Sequence, residues 1–149
     1  MKKVLIIGAA SAIATETAKC FAKDNAQLFL VDINSERLET VAKHIKVFEP
    51  NVEIFTDTLD VTFFEKHQDT IDKEIKTLGG LDAILIAHCT LPNQEKIKDD
   101  TELILREFKI NGLSVISLAT IAASYFEKQG KGCIAAISSV AGDRGRQSN

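Results

Sequence analysis

Apolar residues fall in short continuous runs that alternate with longer stretches of helical spacing. The first run, residues 3–7, stops at Gly8, and residues 15–23 then carry apolar positions three and four apart. That is the pattern of a strand, a turn and an amphipathic helix. It recurs at once: residues 27–31 read as a buried strand, and residues 35–45 as a helix with Leu38, Val41, Ala42 and Ile45 on one stripe. Residues 52–55 predict a weaker third strand, followed by a helix over residues 61–78 that stops at Gly79-Gly80. Residues 83–87 predict a fourth strand and residues 133–137 a fifth. Between them, Asp99 with Glu102 three residues later has the form of a capping box, opening the longest helix, which ends near Gly130.

Strands buried on both faces and alternating with helices imply a parallel sheet covered on either side, because right-handed crossovers place the helices there. The expected fold is therefore α/β: a Rossmann-type doubly wound sheet in three layers with strand order 3-2-1-4-5. The chain has 149 residues and is 45% hydrophobic, enough for one sizeable core, and residues 1–149 are read as a single domain. A net charge of -3 with scattered Lys and Arg gives no basic field, so nucleic acid is not an expected partner. Cys20, Cys89 and Cys133 form neither a CxxC pair nor a disulfide framework, so no metal site is expected and a reducing, cytoplasmic setting is. Lys2-Lys3 and the apolar run after them have the ingredients of a signal peptide, but Gly8 interrupts the run and strand, turn and helix describe it better. No apolar stretch approaches the ~20 residues that a bilayer span needs.

The first turn, Gly8-Ala9-Ala10-Ser11-Ala12-Ile13-Ala14, leads a strand into a helix N-terminus, where free backbone N–H groups can receive a pyrophosphate. Gly8, Ser11, Ala12 and Ile13 are the candidate contacts there, although a plain turn also needs one glycine. Asp32 ends the second strand, where a carboxylate accepts hydrogen bonds from adenosine ribose hydroxyls; the alternative is a turn cap before the helix at Ser35. A 2′-phosphate would meet like charge at Asp32, and Ile33 beside it supplies no compensating cation, so NAD(H) is favoured over NADP(H).

Taken in order, these features resemble the short-chain dehydrogenase/reductase family over the whole chain. Beyond the first turn and Asp32, Asp60-Val61 matches an Asp-hydrophobic pair set against the adenine. Ile86-Ala87-His88-Cys89 lies where the family has Asn-Asn-Ala-Gly, placing Ala87, His88 and Cys89 at the cofactor. Asn111-Gly112 matches a helix asparagine, and residues 137–142 match the segment bearing the catalytic serine, here Ser139. Three departures stand out: alanine at positions 12 and 14 for glycine, Ile86 and Ala87 for two asparagines, and Cys89 for glycine.

The resemblance implies hydride transfer between NAD(P) and an alcohol or carbonyl substrate, with Ser139 orienting the substrate and Asn111 supporting a proton relay. The family's tyrosine and lysine would fall beyond Asn149, so the chain is expected to be a truncated form that is inactive by itself. Tyr125, the single tyrosine, has no lysine four residues on and is expected in core or interface. A non-catalytic nucleotide-binding or oligomerisation module is the alternative, and a methyltransferase a third, against which Asn111 and Ser138-Ser139 argue. No GxSxG elbow supports a hydrolase. His44 and His67 are expected on helix surfaces, while His88 either touches the nucleotide or packs. The apolar residues of positions 113–126 exceed one stripe and the fifth strand is expected to be an open edge. A homo-oligomer through the helix at residues 100–130 follows, with residues 142–149 poorly ordered.

Overall fold

The computed structural model describes residues 1–144. Five parallel strands form one sheet in the order β3-β2-β1-β4-β5, the order expected from the sequence. They are β1 (Lys3–Ile7), β2 (Gln27–Asp32), β3 (Ile54–Thr58), β4 (Ala83–Ile86) and β5 (Cys133–Ala136). Strict alternation along the central strand divides the core. Val4 and Ile6 enter a cluster with α1 (Ala12–Lys23) and α2 (Ser35–Phe48), while Leu5 and Ile7 enter one with α3 (His67–Leu78) and, further along the chain, α6 (Ser114–Gln129). α1 meets the sheet through Ala14, Ala18 and Ala22, small residues four apart that let a helix lie close to the strands. Gly79, with φ of 67°, ends α3, and Gly80 N–H then donates to Ile75 O at 2.8 Å, closing the helix as its Gly-Gly signal predicts.

Several boundaries differ for physical reasons. β3 begins two residues later than its apolar run, because pairing with β2 from Leu28↔Ile54 to Asp32↔Thr58 carries it onto polar positions at the sheet edge. Residues 64–66 form a 3₁₀ turn before α3. The cap of the long helix is Asp100, whose carboxylate accepts from Leu103 N–H at 2.9 Å, and not Asp99 with Glu102. That helix runs as α5 (Thr101–Phe108), a π-turn (Lys109–Leu113) and α6, after a short α4 (Gln94–Ile97). The span Thr101–Gln129 is, by length and composition, long and apolar enough to cross a membrane, contrary to the expectation that no stretch comes near. Polar residues interrupt the span without lowering its average enough, and its buried stripe, Ser114, Leu118, Ala122 and Phe126, is spent on the sheet. One such helix is weak evidence of a membrane, and its apolar window is only 22% buried within this chain.

β5 is an edge strand whose four residues are all exposed. Leu113, Ile116, Ile134, Ile137 and Val140 are exposed around it and along the long helix. The expectation about the tail at residues 142–149 falls mostly on residues 145–149, outside the described ones.

Candidate cofactor cleft

A cleft of about 480 Å3 opens at the carboxyl ends of β1, β2 and β4, where crossovers leave the sheet to opposite sides. Its floor is the first turn. Gly8 N–H and Ala9 N–H donate to Val31 O at 2.8 and 3.0 Å, and Gly8 has φ of 79°. A Cβ on Gly8 would stand 2.6 Å from His88 Cα and 2.7 Å from the Ala87 carbonyl carbon, so the glycine is needed to seat the end of β4. Ser11 Oγ caps α1 by accepting from Ala14 N–H at 3.3 Å. Ala12 and Ile13, exposed in the first helical turn, have no intrahelical acceptor for their N–H groups. Such an end suits an anion.

Asp32 lines the cleft and already holds the turn: Oδ2 accepts from Ala10 N–H at 3.0 Å and Oδ1 from Asn34 N–H at 3.2 Å. Arg37 completes a clamp by donating to Ala10 O at 3.0 Å. The carboxylate thus both positions the turn and keeps oxygen lone pairs for a ligand, so the cap and ribose readings of this residue are compatible. Ile33, 67% exposed, sits at the rim.

Asp60 and Val61 form the next wall. Burial is the largest influence on the Asp60 carboxyl and pushes its pKa up. The Thr62 amide and hydroxyl bonds, at 2.9 and 2.7 Å, and the charges of Arg106 and Lys66 outweigh it and hold the group below the usual carboxylate range. Val61 O faces His67 Nε2 at 3.1 Å, and His67 Nδ1 lies 2.9 Å from Ser117 Oγ. His67 is 0% exposed, not the surface residue its helix position suggested, because α3 turns its first residue under α6. Burial lowers its pKa, more than the Val61 carbonyl and Glu65 raise it.

Ala87, His88 and Cys89 line the opposite wall. Ala87 N–H donates to Ile7 O at 2.8 Å, Cys89 is exposed, and Ile86 is buried in the core. His88 Nε2 lies 2.7 Å from Ser114 Oγ and 3.1 Å from Ile110 O. Burial first, and then His67, lower the His88 pKa against the opposing Ile110 carbonyl and Asp32, so the ring is neutral at pH 7.

Asn111 and Ser139 do not line this cleft. Asn111 sits inside the π-turn, a device often found at functional sites. Its Oδ1 accepts from Thr90 N–H at 2.9 Å, and its Nδ2 donates to Thr90 O at 2.9 Å and to Glu107 at 3.1 Å, pinning the loop that follows Cys89. Ser139 follows β5 and caps the turn Val140–Gly142 by accepting from Ala141 N–H at 3.1 Å. Tyr125 is half-buried against Phe126. Among the described residues no group of three or more His, Cys, Asp or Glu is placed to hold a metal ion.

Sequence reasoning missed Arg37, Thr62, Thr90, Arg106 and Ile110, all of which line the cleft. Arg37 was legible in principle: Asn34 caps α2 through Arg37 N–H at 2.9 Å, and a helix that starts beside Asp32 presents its first turn to the same cleft. Arg106 and Ile110 depend on where the long helix crosses the sheet, which local pattern does not encode.

A family model described as short chain dehydrogenase matches residues 2–149. An uncharacterized oxidoreductase of Listeria monocytogenes is 32% identical over 143 residues, covering 95% of this chain and 56% of the relative. The 3-oxoacyl-(acyl-carrier-protein) reductase FabG of Thermotoga maritima is 26% identical over 145 residues, again covering 95% and 56%. The crystal structure of a short-chain type dehydrogenase/reductase from Mycobacterium marinum superposes with a TM-score of 0.89 at 25% identity, covering 98% of this chain and 59% of that one. The chain spans a little over half the length of the curated relatives it matches.

Proposed function

The chain belongs to the short-chain dehydrogenase family, and on that footing we propose that it binds an NAD(P) dinucleotide as part of an oxidoreductase acting on an alcohol or carbonyl substrate. The observation that carries this reading is the convergence at one cleft of the open N-terminus of α1, the close-packed Gly8 and the Asp32 carboxylate. The residues present fit the cofactor: unpaired amides for its pyrophosphate, an acceptor for ribose hydroxyls, and an apolar wall at Val61 and Ala87 for its rings. Bound there, the cofactor would supply the hydride chemistry.

Ser139 is assigned to orient the substrate oxygen and Asn111 to support proton relay, both outside the dinucleotide cleft proper. Tyr125, on α6, is half-buried against the core and does not line the cleft, so on this reading the 149 residues hold the cofactor and do not by themselves turn it over. A cytoplasmic setting and a small-molecule substrate accompany the reading.

NAD(H) is expected to bind more tightly than NADP(H), by about tenfold to a hundredfold for an unfavourable charge in a partly buried site. Arg37 moves this toward the lower figure, because its guanidinium reaches the same wall. Titration calorimetry with both cofactors checks it. Asp32→Asn, which keeps an acceptor for Ala10 N–H, should narrow the gap, and Arg37→Ala should widen it. Equal affinities in the unaltered protein would refute the preference, and no binding of either would refute the cofactor assignment.

The exposed apolar residues of the long helix and β5 favour self-association through residues 100–130. Sedimentation at micromolar concentration should show a dimer or larger species. Ile116→Lys, at a position 63% exposed, should shift it toward monomer without loss of folding. A monomer at every concentration would remove this part of the proposal.

A further inference from the structure

His88 stands at a junction that neither the cofactor reading nor the family's motif explains. Its backbone packs directly on Gly8, the floor of the dinucleotide turn. Its imidazole reaches the other way, to Ser114 Oγ at 2.7 Å and Ile110 O at 3.1 Å, in and beside the π-turn that carries Asn111. The hydrogens can be assigned. Ser114 is 0% exposed and donates to Ile110 O at 2.6 Å, so its oxygen accepts from His88, which must then carry its hydrogen on Nε2. Nδ1 is consequently a bare acceptor, buried and without a partner among the described residues.

Two residues later, Thr90 is tied by its N–H and its C=O to the Asn111 side chain. The loop leaving β4 is therefore fastened to the π-turn region twice, by the His88 side chain and by the Asn111 side chain. His88 is the one of the two fastenings that also touches Gly8. Ile86 and Ala87, before it, offer no polar side chain.

We propose that His88 is a positioning residue of the cofactor cleft, which sets the dinucleotide turn at Gly8 against the π-turn bearing Asn111 through its bonds to Ser114 and Ile110. This rests on the cofactor reading above for its functional consequence, but not for its geometry. The role requires a neutral ring. A proton added at Nδ1 finds no acceptor there, and the ring is already disfavoured as a cation by burial and by His67. The titratable and charged groups around it are His67 from α3, Asp32 from β2, Asp60 after β3, Arg106 and Glu107 from α5, and Cys89 beside it. Because the folded pKa lies below the usual 6.5, the arrangement is fully kept above that value and weakens as pH falls toward the folded pKa.

The test compares His88→Gln, which retains an Nε2 donor and cannot be charged, with His88→Ala. Imidazole nitrogen shifts in the unaltered protein should report the Nε2–H form of His88 at pH 7.5. Hydrogen exchange at Thr90 N–H should accelerate about tenfold in His88→Ala while amides of α2 stay unchanged, and His88→Gln should restore the slow rate. NAD(H) affinity should fall about tenfold in His88→Ala and recover in His88→Gln. Only the unaltered protein should lose affinity as pH drops from 7.5 to 5. The proposal is overturned if Thr90 exchange ignores the alanine change, if glutamine behaves as alanine does, or if the imidazole carries its proton on Nδ1. Exchange that responds as described in a protein that binds no dinucleotide would overturn the cofactor reading alone.

Discussion

Gly8→Ala is expected to destabilise the protein by about 2 to 5 kcal/mol, a large share of the whole stability of a domain this size. Two costs act together. The backbone at φ of 79° is left-handed, which a Cβ disfavours by about 1–2 kcal/mol. The added carbon also meets the backbone of Ala87 and His88, which cannot rotate aside as a side chain would. Relief requires the end of β4 to withdraw, breaking the Ala87 N–H bond to Ile7 O and opening the cleft floor. Urea unfolding followed by circular dichroism measures the loss, and dinucleotide affinity should collapse with it. Gly112→Ala is the matched control, since nothing lies within 4 Å of the carbon it adds. A Gly8→Ala midpoint within error of the unaltered protein would mean that the first turn and the end of β4 are not held against each other.

The Gly8 requirement was visible in the sequence as a single glycine between a strand and a helix, but its cause was not. The residue it accommodates lies at the end of β4, brought alongside β1 only after two intervening strands and three α-helices. The same division runs through the whole molecule. The strands, both sheet faces and the stop signals at Gly79 and Gly130 follow from local periodicity, because alternation and left-handed caps are properties of neighbouring residues, while the strand order follows from the handedness of the crossovers. Asp32, Asp60, Val61, Ala87, His88 and Cys89 share a cleft because each ends or follows a strand, and parallel strands point their ends the same way. Ala12 and Ile13 lie just outside its lining, at the helix end.

What escaped was whatever depends on a helix's exact crossing. The π-turn at Lys109–Leu113 inserts no unusual residue type, and Asp100 and Asp99 are interchangeable as caps until the backbone chooses one. A histidine at a helix start is expected at the surface, as polar residues usually are, but His67 is buried. Its burial follows from the Val61 carbonyl, six residues before it, and from Ser117, fifty residues after it, which only the packing of α3 on α6 brings near.

Glu74 escaped in the same way, and it carries the second large effect. It lies on the α3 stripe His67, Ile71, Glu74 and Leu78, is 0% exposed, and neither of its carboxyl oxygens has a hydrogen-bond partner among the described residues. Burial raises its pKa from 4.5 to about 9. The Asp57 carboxylate pushes the same way, and Lys73, engaged with Asp57 at 2.5 Å, offsets little of it. The folded protein therefore keeps Glu74 protonated at pH 7, while the unfolded chain ionises it. A pKa raised on folding gives stability that is fully present below 4.5 and is lost as pH climbs to about 9. At about 1.4 kcal/mol per pH unit, and with the unfolded carboxyl already half ionised at pH 4.5, the loss between pH 4.5 and 7 is about 3 kcal/mol. Glu74→Leu removes both the titration and the unpaired oxygens while keeping apolar volume in the stripe. It should gain about 3 kcal/mol at pH 7, more at pH 8.5, and at pH 4.5 only the part due to the unpaired oxygens, about 1 kcal/mol. Chemical denaturation at these three values of pH reads the difference directly. A gain that does not grow with pH would show that Glu74 is ionised and paired in the folded protein, and a loss at every pH would show that the pocket around it is shaped for a carboxyl group.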